Sequence, residues 1–171
     1  VFDTNGYVDS AVGFERAYFT DGIKYHQYDP VNGTNGAVSE LVASAGQIPQ
    51  FCQLVAYWRD RLIVAREAVF PGRWHMSKVG DPTNWEFLPA VPTVLDAVSS
   101  QTSQAGQVPD AINAVIPFTE DLLLFGGDTT IWALSGDPLA ANSYFDLITD
   151  QTGIAFGRAF CKDPEGNLWF F

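Results

Sequence analysis

Asp60-Arg61-Leu62-Ile63-Val64-Ala65, a loop, Trp74-His75-Met76-Ser77, and then Gly80-Asp81-Pro82: this ordered phrase occurs twice. The second copy reads Asp121-Leu122-Leu123-Leu124-Phe125-Gly126, a loop, Ile131-Trp132-Ala133-Leu134-Ser135, and then Gly136-Asp137-Pro138. Each copy is a polar turn, an apolar strand, a hairpin loop, a Trp-containing strand ending in Ser, and a Gly-Asp-Pro turn. Weaker copies of the opening turn and strand stand at Asp21-Gly22-Ile23 and at Glu165-Gly166-Asn167-Leu168-Trp169-Phe170. Successive starts lie about 40 to 60 residues apart, the length of one propeller blade. A single blade cannot cover both its faces, so blades stack on one another. The expected fold is therefore all-β: a β-propeller segment of about three to four antiparallel blades. A β-sandwich is the alternative.

Outward from the repeat, strand signals continue along the chain. They fall at 15–19, 23–28, 39–45, 51–57, 60–66, 74–78, 112–118, 122–125, 130–135, 144–149, 154–161 and 167–171. Spacing of this kind, broken by Gly and Pro, belongs to antiparallel all-β folds. Asp21-Gly22 suits a tight reversal because Gly tolerates positive φ. No long segment shows helical apolar spacing; only 93–104 is readable as a short helix, and equally as a polar strand and loop.

With 171 residues, 47% of them hydrophobic and 14% aromatic, the chain has enough apolar surface to offset the entropy of ordering. It begins at Val1 without a Met and stops at Leu168-Trp169-Phe170-Phe171, which reads as a core strand without a polar tail. Residues 1–171 are thus expected to be one β-propeller segment of a longer polypeptide. No signal peptide or membrane-length apolar run is visible. Nine Lys and Arg against twenty Asp and Glu give a net charge of −11. Tight nucleic-acid binding depends on neutralising phosphates with basic residues, so it is not expected.

The residues that commonly carry chemistry are scattered. Cys52 and Cys161 each follow a Phe and read as buried free thiols. Alternation places His26 beside Lys24 on a solvated face. His75 follows Trp74, and neither histidine has a second His or a Cys at ligand spacing, so no metal site is expected. Asp21, Asp29, Asp60, Asp81, Asp121, Asp137 and Asp163 sit at turns or strand starts, where Asp side chains bond nearby backbone N–H groups. The run Asp29-Pro30-Val31-Asn32-Gly33-Thr34-Asn35-Gly36 lacks the alternating ligands and terminal Glu of a calcium loop and reads as a loop tip. No phosphate-binding Gly-rich loop and no nucleophile elbow is present. Trp58, Trp74, Trp85, Trp132 and Trp169 offer faces for stacking on sugars, but their placement in or beside strands favours packing. No catalytic residue is expected. The structurally critical positions are Trp58, Gly80, Asp81, Pro82, Trp132, Gly136, Asp137 and Pro138.

The phrase from Leu54 through Ala65, continuing into Ser77-Lys78-Val79-Gly80-Asp81-Pro82-Thr83-Asn84-Trp85, resembles β-propeller proteins of the tail hubs of short-tailed bacteriophages and their packaged-DNA stabilisation proteins. Val115-Ile116-Pro117-Phe118-Thr119-Glu120-Asp121-Leu122-Leu123-Leu124-Phe125 looks like their next blade. So do 131–138, Gly153-Ile154 and 163–170. The resemblance spans about residues 51–171; it rests on packing and turn phrases, and 1–50 match only as generic blade. It implies a structural virion protein at the head–tail junction, part of a homo-oligomeric ring around the DNA exit channel. Its implied partners are portal or adaptor on one side and tail nozzle or spike on the other. It supplies no catalytic residue, cofactor or metal, and the acidic balance suits a passage to which DNA does not stick. Gly166-Asn167-Leu168-Trp169-Phe170 also resembles strand openings in six-bladed propeller lactonases and lyases, which implies a hydrolase or lyase with a metal in the central funnel. A carbohydrate-binding propeller is the third reading.

Overall fold

Antiparallel reversals organise the chain, as seen in a computed structural model that describes residues 6–32, 36–141 and 143–171. The first sheet is a meander of β1 (Asp9–Gly13), β2 (Arg16–Thr20), β3 (Tyr25–Asp29) and β4 (Ala37–Glu40), all antiparallel and in chain order. A short strand, β5 (Ala45–Gly46), leads to β6 (Cys52–Trp58), β7 (Arg61–Glu67), β8 (Trp74–Met76), β9 (Asn84–Trp85) and β10 (Val98–Ser99). The second sheet has the order β10-β8-β7-β6, while β9 pairs in parallel with β5. The third sheet repeats the meander with β11 (Ala114–Pro117), β12 (Leu122–Gly126), β13 (Ile131–Ser135) and β14 (Phe145–Thr149). A hairpin of β15 (Phe160–Lys162) and β16 (Leu168–Phe170) follows. No helix occurs among the described residues, so none is long and apolar enough to cross a membrane. The 93–104 stretch forms turns around the two-residue β10.

The reversal between β1 and β2 is Phe14-Glu15, and that between β6 and β7 is Arg59-Asp60. All four residues have positive φ, at 51° and 58° in the first pair and 50° and 53° in the second. Two successive positive φ values give the turn whose twist matches that of the flanking strands. Neither site uses the Asn-Gly or Asp-Gly pair that would announce it. Asp21-Gly22 lies one reversal later, between β2 and β3, with the Asp21 carboxylate accepting from the N–H groups of Ile23 and Lys24. The counterpart of Asp60 and Asp121 in the first sheet is therefore the Phe14-Glu15 turn.

The sheets pack face to face in a row. One face of the second sheet sets Leu54, Trp58, Ile63, Trp74 and Met76 against Val115, Leu123, Phe125 and Leu134 of the third. Its other face sets Cys52, Val55, Leu62 and Val64 against Tyr18, Tyr25 and Leu41 of the first. The far face of the third sheet, through Ile116, Leu124 and Ala133, meets Phe160, Leu168 and Phe170 of the final hairpin. The leading strands are neighbours too: β6 lies beside both β1 and β11.

Several expectations from the sequence need correction. Cys52 is buried as expected, but Cys161 is exposed, on the hairpin face turned away from the third sheet. His26 is buried rather than solvated: it sits opposite Glu40 in a central strand of the first sheet. The strand expected at 154–161 is only Phe160–Lys162, because Ile154 caps the third sheet through a backbone bond to Gly127. The closing strand is not a core strand throughout; Trp169 is exposed, and its indole N–H donates to Asp163. In the 29–36 run, residues 33–35 lie outside the described residues, and Asp29 is the ion-pair partner of Arg16 at 2.8 Å.

Candidate functional site

The two Gly-Asp-Pro turns occupy equivalent places and make equivalent bonds. Gly80 donates its N–H to the carbonyl of Asp60 at 2.8 Å, and Gly136 donates to the carbonyl of Asp121 at 2.9 Å. Their φ angles are +75° and +74°, a region that side chains with a Cβ avoid. Asp81 then accepts from the Thr83 N–H and Asp137 from the Leu139 N–H, each at 2.9 Å. In the second and third sheets the turn after the third strand is thus tied to the residue just before the second strand. Trp58 is buried, and its indole N–H donates to the Thr119 carbonyl at 2.7 Å, linking the second sheet to the opening turn of the third. Trp132 is only half-buried at the rim of the same core, with its indole N–H on Thr130. The larger aromatic anchors are Trp74 and Trp85, both essentially inaccessible.

A cleft of about 280 Å³ opens where β1, β6, β11 and the segment before β15 converge. Asp9 is its most connected residue. One carboxylate oxygen accepts from the buried Val55 N–H at 2.9 Å, and the other accepts from Arg158 Nε at 2.9 Å. Tyr7 and Phe156 meet edge to face beside this pair, with ring centroids 5.1 Å apart. Three regions distant in sequence are therefore joined at one carboxylate.

A third constellation lies between the first and second sheets. Cys52, Glu67 and His75 come from β6, β7 and β8, and their donor atoms all lie within 4.8 Å of one another. His75 Nε2 sits 2.7 Å from one Glu67 oxygen, and Arg73 reaches the other at 3.3 Å. Alternation along β7 would send Glu67 to the face of Ile63 and Ala65. Arg66, at φ +61°, breaks the alternation and turns Glu67 toward Cys52 and His75 instead. Burial pushes the His75 imidazole below its usual range, outweighing the opposing pull of Glu67, so the ring is neutral at pH 7. Burial likewise pushes the Cys52 thiol up to about 12. Sequence spacing concealed this group because its members are 15 and 8 residues apart and meet only through strand pairing. The positive φ of a non-glycine residue left no trace in the sequence.

Of the eight positions singled out from sequence, Gly80, Asp81, Pro82, Gly136, Asp137 and Pro138 form two matching turns, and Trp58 bridges two sheets. They do not converge on one pocket. The sequence matches no protein-family profile and no curated protein.

Proposed function

We propose that this chain is a structural scaffold of the propeller type, acting in the tail hub or head–tail junction of a short-tailed bacteriophage. The observation that carries the propeller reading is the row of antiparallel sheets packed face to face, whose leading strands β1, β6 and β11 stand side by side. A two-layer sandwich has one interface between sheets, whereas the first, second and third sheets and the last hairpin share three. The repeated bond from Gly80 to Asp60 and from Gly136 to Asp121 supports a common unit. The phage assignment rests on the resemblance of residues 51–171 to tail-hub propellers. In that role the chain forms part of a ring around the DNA exit channel and docks portal or adaptor proteins and the nozzle or spike. The net charge of −11 favours passage of DNA over its retention.

Labelling tests the assignment. Gold-tagged antibodies raised against this chain should decorate phage particles at the neck or tail tip in electron micrographs. Labelling of the capsid shell alone, or of no virion structure, would overturn the reading. Glycan arrays and assays for lactonase or lyase turnover should be silent; turnover would move the chain to the enzyme class.

A further inference from the structure

Cys52, Glu67 and His75 bring a thiol, a carboxylate and an imidazole into one buried space across three adjacent strands. We propose that they form a structural zinc site that fixes the register of β6, β7 and β8. A zinc ion held at about 2.0–2.3 Å by S, N and O donors in tetrahedral geometry keeps them roughly 3.3–3.7 Å apart. The donors here lie within 4.8 Å of one another, and the closest pair is at 2.7 Å, so small side-chain shifts reach that geometry.

Two further observations favour a metal over a simple buried ion pair. Glu67 reaches the group only through the positive φ of Arg66, and strained backbone of this kind concentrates where geometry serves a site. Arg73 holds the outer oxygen of Glu67 and stacks on Phe70 at 3.7 Å, which orients the carboxylate from behind, as hydrogen-bonding groups behind metal ligands do.

The donor set chooses the ion. One thiolate and one imidazole suit zinc, whereas calcium and magnesium prefer oxygen alone. Binding forms an S–Zn bond as the Cys52 thiol proton leaves to buffer, one proton per metal. The thiolate and carboxylate then balance the two positive charges of the ion. A cleft bordered by Pro49, Gln50, Trp85 and Phe87 reaches His75, giving a path for entry.

The test uses the full chain after chelation, titrated with zinc chloride by calorimetry and with cobalt chloride by absorption. One ion per chain is expected, with a thiolate-to-cobalt charge-transfer band and the intense visible bands of tetrahedral cobalt. Cys52→Ser should abolish the charge-transfer band, and Glu67→Gln and His75→Gln should each weaken zinc binding at least tenfold. Cys161→Ser, at the exposed thiol, should change neither readout. Absence of stoichiometric binding by the folded wild-type chain would overturn the proposal, as would a charge-transfer band that disappears with Cys161. Should Cys52→Ser fail to fold, alkylation of the wild-type chain in mild urea decides. Zinc must slow modification of Cys52, and equal rates with and without zinc would sink the site.

Discussion

Arg158 Nε meets Asp9 Oδ1 at 2.9 Å across 149 residues of chain, while the other oxygen of the same carboxylate holds the Val55 N–H. The two ends of the ion pair differ in environment: the Asp9 side chain is 6% exposed and that of Arg158 is 56% exposed. Loss of the half-exposed Arg158 opens the Asp9 carboxylate to water while its bond from the Val55 N–H remains, so Arg158→Ala should cost about 1 kcal/mol. Asp9→Ala strands a buried backbone donor and should cost about 2 kcal/mol. Urea denaturation of both variants checks this asymmetry, and equal losses would contradict it.

Gly80 and Gly136 give a test of repeat equivalence. Both have positive φ, and an added Cβ at either site meets no atom of the described residues within 4 Å. Conformational strain is then the whole cost of Gly80→Ala and of Gly136→Ala, about 1–2 kcal/mol each. The two losses should agree within about 0.5 kcal/mol and add in the double variant, as for separated independent sites. Thermal unfolding of the three proteins reads the result.

The tryptophans should separate by burial. Trp58 is 3% exposed and bonded across two sheets, so Trp58→Ala should cost about 3–5 kcal/mol. Trp132→Ala should cost at least about 1 kcal/mol less, because its half-buried ring leaves a smaller cavity. Chemical denaturation of the pair ranks them, and the reverse order would mean that the rim of the third sheet is more tightly packed than described.

Acid should release the loop between β12 and β13. Burial works against ionisation of Asp110, but the N–H groups of Thr129 and Ala111 and the hydroxyl of Thr130 outweigh it and hold the carboxyl below its usual range. An unfolded Asp titrates near about 3.9. The carboxylate therefore stabilises the fold above that value, and its contribution disappears as pH falls through the lower folded value. Asp110→Ala should be less stable than wild type at neutral pH, with the difference shrinking below about pH 4. Denaturation midpoints across that range give the answer.

What could be read in advance followed from local chemistry. The strand pattern and the paired Gly-Asp-Pro turns were legible because apolar alternation and glycine are written in the residues themselves. The first strand, Asp9–Gly13, was not: its residues are small and mixed, and it is held by pairing with β2 and by the Asp9 bond to Val55. The Phe14-Glu15 turn escaped for a related reason, since tertiary packing imposes a conformation those residues do not favour. His26 and Cys161 were assigned to the wrong environments because alternation says which residues share a face and not which face is covered. The meeting of Cys52, Glu67 and His75 needed the break at Arg66, which no periodicity contains.

The second and third sheets each have both faces covered by neighbours, whereas the final hairpin has one. In a linear stack coupled only through adjacent members, the inner members govern how disorder spreads. Injury to the second sheet strips support from the layers on either side and turns a local lesion into global melting. Injury to the hairpin frays a single end. Amide protons of Leu62 to Ala65, shielded on both sides, should therefore be among the last in the molecule to exchange with deuterated water.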